Sequence, residues 1–297
     1  MANRSYTLLD HRALIVVDGP DRKSFLQGLV SADINKVGPH SARYGAFLTP
    51  QGKFLHEFFV AELGDALLVE GERDRLADFA KRLGIYRLRS KVSIAATDRY
   101  AVYALMGDGA AAAVGLPDVA GAAAEFAGGI VFVDPRLAAG GLRAWLPPGS
   151  DGVLAAAGFA AVDAAVWDVH RMRLGLPDGS RDLTPEKTLL LEAGFDELNG
   201  VDWQKGCFLG QELTARTKYR GLVRKRLIPV AIEGRAPDPG TPLLLNGSEV
   251  GEMCSRAGTI GLAMIRVEAV EQMGREGGAL SAGRASLTPM KPHWAQF

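Results

Sequence analysis

Short apolar runs separated by turn residues dominate the first third of the chain. The run at 13–17 has the length of a buried strand, and a turn is expected at 18–20. We expect Asp21 to cap the helix that follows, and Phe25 and Leu26 to pack on its inward face. Further predicted elements are strands at 44–48, 54–61 and 66–69, a hairpin turn at 50–53 and a helix at 72–83. This order of elements indicates an α+β unit rather than a doubly wound sheet.

A similar order of elements recurs in the middle of the chain, although no convincing sequence repeat accompanies it. Thr184 and Pro185 are the residue types of an N-cap and of a first helical position, so they predict the start of a helix. After Leu222 the pattern changes to short strands with Pro and Gly turns, and Asn246-Gly247 is a strong hairpin signal. The other elements predicted here are strands at 100–106, 130–133 and 143–146 and helices at 110–114, 151–157 and 163–174.

The predicted fold class is therefore α+β, in three parts. We expect a first α+β subdomain at 1–95, a second at 96–221 and a C-terminal β-barrel at 222–297. A chain of 297 residues, 47% of them hydrophobic, is ample for cores of this kind and too long for one small domain.

Charge and composition exclude several classes of function. Lys plus Arg and Asp plus Glu number 34 each, so no global field recruits nucleic acid or a membrane. No run of about 18 apolar residues predicts a membrane span. The two cysteines, Cys207 and Cys254, form no close-spaced pair, which argues against a disulfide framework and for a reducing compartment. Without a secretory or transit pattern at the N-terminus, the predicted location is the cytoplasm.

One stretch carries chemistry, the sequence KGCFLGQE at 205–212. Cys207 lies just before a predicted helix, and both the charge of Lys205 and the positive end of a helix favour thiolate over thiol. Gly206 lacks side-chain bulk, so a ligand could approach the backbone there. The alternative for Cys207 is a small buried hydrophobe, and we assign this structural role to Cys254.

The stretch at 205–212, followed by Ala215-Arg216 and Arg220-Gly221, resembles the signature of the YgfZ family. The members of this family are bacterial folate-binding proteins of iron–sulfur cluster maturation, with a mitochondrial counterpart. They are relatives of T-protein, the aminomethyltransferase of glycine cleavage. The resemblance covers nearly the whole chain, and it implies three subdomains arranged as a ring around a central hole where folate binds.

The T-proteins are enzymes, and three departures argue against their chemistry here. Their catalytic aspartate lies in the hairpin, whereas the matching stretch at 52–57 contains none. Arg171 stands where the pterin-binding glutamate falls, and a guanidinium has donors only. T-protein also has no cysteine that matches Cys207. The alternative function kept open is a folate-dependent one-carbon transferase or demethylase in which His56 or Glu57 replaces the missing acid.

The resemblance also implies which residues contact folate. Two tryptophans of the family match Trp167 and Arg12 here, the second being a departure. The ring of Trp167 could stack on a pterin, or it could belong to the core. Gly206 would allow close approach, while Gln211 and Glu212 either hydrogen-bond a ligand or cap their helix.

The basic run at 216–226 has three interpretations. It is a solvated face, a site for the glutamate tail of folate, or, least well supported, a nucleic-acid surface. A guanidinium can pair the carboxylate of such a tail bidentately, and we favour Arg216 for this role because it lies on the helix of the signature.

The predicted function is an accessory protein that binds tetrahydrofolate and assembles or repairs 4Fe–4S clusters, with Cys207 as thiolate. Cys207 would be a transient iron ligand or a redox group. A resident cluster needs about four cysteine ligands, so any cluster would be transient and shared. The implied partners are folate, a cysteine desulfurase/scaffold system and A-type carriers, without nucleic acid or membrane. A binding module with a structural cysteine is the third class considered.

Overall fold

The computed structural model describes residues 4–221 and 223–296, which form two compact units. Unit 1 comprises Met1–Leu48, Leu55–Trp167 and Leu198–Leu209, and unit 2 comprises Thr49–Phe54, Asp168–Glu197 and Gly210–Phe297. The strands are β1 (Ser5–Leu8), β2 (Arg12–Asp18), β3 (Arg43–Leu48), β4 (Phe54–Leu63), β5 (Ala66–Glu72), β6 (Ser93–Thr97), β7 (Ala101–Met106), β8 (Ala123–Phe126), β9 (Gly129–Val133), β10 (Leu142–Leu146), β11 (Ala160–Ala161), β12 (Lys225–Glu233), β13 (Pro242–Leu245), β14 (Ser248–Ala257), β15 (Ile260–Arg266), β16 (Leu280–Ala282) and β17 (Ala285–Pro289). The α-helices are α1 (Arg22–Gln27), α2 (Leu76–Ile85), α3 (Ala110–Ala113), α4 (Asp151–Ala156), α5 (Ala164–Arg173), α6 (Gln211–Tyr219) and α7 (Val267–Glu276). Short 3₁₀ turns lie at Ile34–Lys36, Arg73–Arg75, Ala138–Gly140, Gly179–Arg181 and Leu190–Ala193.

Two sheets form unit 1. The five-stranded sheet has the order β3-β4-β5-β2-β6, and the six-stranded sheet has the order β11-β1-β7-β10-β9-β8. The pairs β1–β7, β7–β10, β10–β9, β9–β8, β4–β5, β5–β2 and β2–β6 are antiparallel, whereas the short strand β11 is parallel to β1. Phe25 and Leu26 of α1 are buried in the same core as Ile15 and Val17 of β2, which confirms their predicted packing role.

Alternate residues of the strands in unit 1 face opposite sides of their sheets, and along β4, β9 and β10 both sides are buried. Along β10, Leu142 and Leu146 enter a second apolar core, while Arg143 between them does not. Arg143 is nevertheless buried, as are Arg12 of β2 and Glu70 of β5. Unit 1 therefore contains a buried layer of charged side chains in addition to its two apolar cores.

Unit 2 contains a closed barrel with the strand order β12-β15-β14-β13-β16-β17. Asn246 and Gly247 join β13 to β14 with φ angles of 49° and 83°, the left-handed values that a two-residue hairpin turn requires. The antiparallel sheets and this barrel confirm the predicted fold class. The predicted subdomain boundaries and their ring arrangement stay predictions.

Two local predictions are wrong. No helix begins at Thr184, whose carbonyl accepts from Lys187 N and Thr188 N in an isolated turn. Glu186 inside this turn has a φ of +63°, which a right-handed helix cannot contain. Asp21 does precede α1, but its side chain makes no cap hydrogen bond and accepts instead from Lys91 N at 2.7 Å.

His56 of β4 gives unit 1 a measurable pH dependence. Its ring is buried and stacked on Phe79 of α2 at 4.8 Å, and its Nε2 lies 3.0 Å from Asp78 Oδ2. Burial, assisted by the charge of Arg75, lowers the pKa of His56 to about 4. The unfolded chain therefore takes up a proton below about pH 6.5 that the folded chain refuses until about pH 4, so stability falls as the pH falls through this window.

We expect His56→Phe to remove this loss. Between pH 7 and pH 5, wild type should lose about 2 kcal/mol of unfolding free energy that the variant does not lose, since one pKa unit is worth about 1.4 kcal/mol. Urea titrations at the two pH values measure the difference. His40→Phe, at an exposed histidine, is the control and should keep the wild-type loss. Equal losses in all three proteins would contradict the assignment.

Candidate functional site

The signature cysteine lies on a loop of unit 1, Leu198–Leu209, that is bound to the segment after α1. Ser31 is fully buried, and its hydroxyl donates to Gly200 O and accepts from Ala46 N. The carbonyl of Ser31 accepts from Asp202 N at 3.0 Å, and Leu209 N donates to Gly28 O at 3.2 Å. These bonds attach both ends of the loop to the body of unit 1, although the loop contains no helix or strand of its own.

Asp202 organises the middle of the loop. Its Oδ1 accepts from Gln204 N and Lys205 N at 2.9 and 3.2 Å, and its Oδ2 pairs with Lys36. Partial burial opposes ionisation, but the Lys36 hydrogen bond and the backbone donors outweigh it and lower the pKa of Asp202. The carboxylate is therefore charged at neutral pH and holds the turn that leads into the signature.

Lys205 is an internal anchor of the loop. The side chain is buried, and its Nζ donates to Val30 O and to Ala32 O, both at 2.6 Å. The ammonium also lies 5.4 Å from the centre of the Phe208 ring. Burial lowers the pKa of Lys205 to about 8, against the attraction of nearby carboxylates.

Cys207 is exposed between two buried neighbours. Phe208 is 6% exposed and Lys205 is 7% exposed, whereas Gly206 and Cys207 face solvent. A Cβ placed on Gly206 would meet no atom within 4 Å, so the space beside the thiol is open. The alternative of a buried structural cysteine is therefore wrong for Cys207, and the loop presents its thiol outward from a fixed backbone.

Cys254 differs from Cys207 in its surroundings. It lies in β14 of the barrel and is half-buried, and its structural role stays a prediction. Burial raises the pKa of its thiol well above the usual range, so it is protonated at neutral pH and a poor nucleophile.

Trp167 and Arg12 lie in the buried charged layer of unit 1. Arg12 Nε donates to Glu70 Oε1 at 2.7 Å, and its NH1 donates to Glu57 Oε1 at 2.6 Å. Glu70 also accepts from Arg143 NH1 at 2.9 Å, and the Arg143 guanidinium lies 5.3 Å from the Trp167 ring. Trp167 is 1% exposed and Arg12 is 0% exposed. A contact of either residue with folate stays a prediction, and it requires Trp167 to exchange its contact with Arg143 for the ligand.

His56 and Glu57, the substitutes considered for a catalytic acid, are both buried. Glu57 is paired with Arg12 and contributes, after burial, to the raised pKa of Tyr44. His56 stacks on Phe79 and is neutral near pH 7, so neither side chain is placed as a proton donor to a substrate.

The remaining predicted contacts lie in unit 2, on α6. Gly210 precedes this helix with a φ of 81°, and no side chain caps it, so the capping role considered for Gln211 and Glu212 is wrong. Glu212 and Arg216 are exposed, and Gln211 is half-buried. These side chains are available to a ligand.

Two arginines of unit 2 have structural partners. Arg171 is buried, and its Nε lies 2.7 Å from Asp168 Oδ1 of the same helix, α5. Its NH1 lies 2.6 Å from Asp182 Oδ2, so this ion pair holds the segment that follows α5 against the helix. Arg226, inside the basic run, donates to Glu197 Oε2 at 2.6 Å and to Leu191 O at 2.9 Å. The basic run is thus not one continuous solvated face.

Sequence reasoning missed Ser31, Asp202, Glu70 and Arg143. The last two could have been noticed, because each places a charge in or next to a run with the apolar content of a buried strand. Ser31 and Asp202 carry no such signal, since their partners lie far away in the chain.

In the part of the chain that the structure describes, no three His, Cys, Asp or Glu side chains are grouped closely enough to hold a metal ion. None of the described helices combines the length and apolar character that a membrane span needs.

The fold is similar to that of a known class of protein. The crystal structure of glycine cleavage system aminomethyltransferase T from Bartonella henselae matches with a TM-score of 0.75 and 18% identity, over 99% of this chain and 87% of that one. At this identity the similarity concerns the fold alone, and it is a T-protein-like fold.

Comparison of this sequence with those of known proteins identifies the family within the class that has this fold. The iron-sulfur cluster assembly factor IBA57, mitochondrial, of Homo sapiens is 34% identical over 285 residues, which cover 89% of this chain and 78% of the relative. The factor of the same name from Mus musculus is 31% identical, with the same coverage of 89% and 78%. The model of the CAF17 C-terminal beta-barrel domain matches residues 224–297. The chain belongs to the CAF17 family, which confirms the predicted YgfZ-like resemblance.

The same comparison corrects the predicted location. Both relatives are named as mitochondrial proteins, and the prediction of a cytoplasmic location is therefore wrong.

One substitution can distinguish the two roles considered for Lys205. The first is to hold the loop through hydrogen bonds to Val30 O and Ala32 O, and the second is the predicted stabilisation of the Cys207 thiolate. We expect Lys205→Met to leave two buried carbonyls without their donor and to speed amide hydrogen exchange across Leu198–Leu209 by about tenfold or more, since an unmet buried acceptor costs about 1–3 kcal/mol. The pH profile of Cys207 alkylation should stay as in wild type.

Lys36→Met is the matched control, because it removes a lysine from the same loop contact but from an exposed pair of little energetic worth. Lys36→Met should leave amide hydrogen exchange across Leu198–Leu209 nearly unchanged. A shifted alkylation profile in Lys205→Met with unchanged exchange would show that Lys205 acts on the thiol instead.

Proposed function

We propose that this chain assembles or repairs 4Fe–4S clusters and that the Cys207 thiolate is a transient ligand of the cluster iron. The observation that carries the proposal is the exposed thiol held between the buried Lys205 and Phe208. The relatives named as iron-sulfur cluster assembly factors support it.

The cluster is a substrate in this scheme. The Cys207 thiol gives its proton to solvent, and the thiolate donates an electron pair to an iron atom in place of a leaving ligand. Later a thiolate of a client or carrier displaces Cys207, which recovers its proton. The chain has two cysteines, and the thiol of Cys254 is held protonated, so the other cluster ligands come from partner proteins.

Replacement of the thiol tests the proposal. Cells that lack the native gene would carry wild type, Cys207→Ser or Cys254→Ser at matched protein levels, and aconitase-type activity would be measured under oxidative stress. We expect wild type and Cys254→Ser to restore the activity and Cys207→Ser to restore none, because serine is a poor iron ligand at neutral pH. Rescue by all three would reject the role of Cys207 alone, and failure of wild type would reject the assembly function.

We also propose that the chain binds tetrahydrofolate, as the YgfZ resemblance implies. Support comes from the exposed Arg216, which has the charge and geometry for a glutamate tail. No step of cluster transfer is derived from the folate.

Equilibrium dialysis with tetrahydrofolate checks this second proposal. We expect Arg216→Gln to weaken binding by about tenfold, the worth of one charge-assisted hydrogen bond. Arg220→Gln, at an exposed arginine that ends the same helix, is the matched control and should bind as wild type does. Equal binding by the two variants would remove Arg216 from the site, and no binding by wild type would reject the folate proposal.

A further inference from the structure

The segment that follows α2 exposes two large aliphatic side chains. Ile85 is 65% exposed and Leu88 is 88% exposed, the highest value for a large hydrophobic side chain in the part of the chain that the structure describes. Both lie within residues 85–91, which we call the 85–91 segment. Scattered single apolar residues are normal on a surface, but two within four positions form a small apolar patch.

The backbone of this segment holds Leu88 outward in a costly conformation. Leu88 has a φ of +42°, a left-handed value that a branched side chain rarely adopts. The turn is closed by Ser90 N donating to Arg87 O at 2.8 Å, and the segment is tied to the body of unit 1 where Lys91 N donates to Asp21 Oδ2 at 2.7 Å. Burial does not compensate the cost, because the side chain faces solvent. Such an uncompensated outlier indicates a functional constraint.

Charge surrounds the apolar patch. Arg87, Arg89 and Lys91 are exposed, and none of them forms an ion pair within the described residues. Leu88 and Arg89 also border a shallow and largely open surface depression, together with Asp21 and Ser90. The patch thus combines an apolar projection, a recess beside it and three unpaired cations.

We propose that the 85–91 segment is a docking surface for a protein whose own surface carries an apolar recess bordered by carboxylates. Leu88 would fill that recess and lose its contact with water, which is how a central aliphatic anchor contributes to an interface. The cations would pair with the surrounding carboxylates, steer the encounter and fix the orientation. The inference rests on the proposed function, and the partner is then an acidic protein of cluster assembly.

The observations favour a protein over an anionic membrane. A bilayer surface offers no projection to occupy the depression. The segment also lacks the tryptophan or phenylalanine that interfacial loops insert into lipid.

The experiment uses the rescue of aconitase-type activity described above, with wild type and Cys207→Ser in the same series. We expect Leu88→Glu to weaken partner binding by about tenfold or more and to lower rescue, because it places a carboxylate against carboxylates. Val119→Glu is the matched control, since Val119 is a 60% exposed aliphatic residue of unit 1, and it should rescue as wild type does.

Leu88→Gly separates docking from folding. Glycine adopts positive φ without strain, so the thermal midpoint should not fall, yet the anchor is lost and rescue should fall as in Leu88→Glu. A stable Leu88→Gly protein with full rescue overturns the inference.

Four further outcomes would also overturn it. Full rescue by both Leu88 variants, with failure of Cys207→Ser, leaves the proposed function intact and rejects the docking surface. Failure of wild type rejects both. Sedimentation of wild type, but not of Leu88→Glu, with phosphatidylcholine–phosphatidylglycerol vesicles would assign the surface to a membrane, and a dimer that Leu88→Glu disrupts would assign it to a second copy of the chain.

Discussion

The carboxylate of Glu70 is the constraint on which the packing of unit 1 depends. It accepts from Arg12 of its own sheet and from Arg143 and Trp145 of the other, at 2.7 to 2.9 Å, and it is fully buried. Apolar faces alone could slide over one another at little cost, but a buried charge tolerates only the arrangement in which its donors are present. Breaking such a network costs about 3–5 kcal/mol, so it selects one register of the two sheets.

The same rule fixes the signature loop. Leu198–Leu209 has no ladder of its own, so its buried polar groups need partners elsewhere. The Ser31 hydroxyl donates to the carbonyl of Gly200, and the carbonyls of Val30 and Ala32 accept from the Lys205 ammonium, so both contacts join the loop to the segment after α1. The result is a loop that is hydrogen-bonded to the body of unit 1 along its length and whose thiol is nevertheless exposed. A lysine that sequence chemistry assigns to the thiol is thereby occupied by two backbone carbonyls.

Local patterns predicted most of the fold, because strands, helices and the Asn246-Gly247 turn are encoded by neighbouring residues. The helix expected at Thr184 failed for a related reason: N-cap and proline preferences are local, whereas the left-handed Glu186 is imposed by the surrounding structure. The candidate site was located by its motif, but its construction was not predictable. Lys205 lies 175 residues from Val30, and no periodicity in a single sequence reports a contact at that separation.

A single exposed thiol also explains why the chain would need a separate docking surface. One iron–sulfur bond cannot choose a partner, because any accessible thiolate can offer the same bond. Selectivity then has to come from contacts away from the cluster, and these contacts must release as readily as they form if the cluster is to move on. A patch of two aliphatic side chains and three cations is small, and small charged interfaces form quickly and dissociate quickly. In the proposed scheme, rigid presentation of Cys207 and a weak, oriented encounter would be complementary. The first would remove the cost of ordering the ligand, and the second would determine which protein receives the cluster.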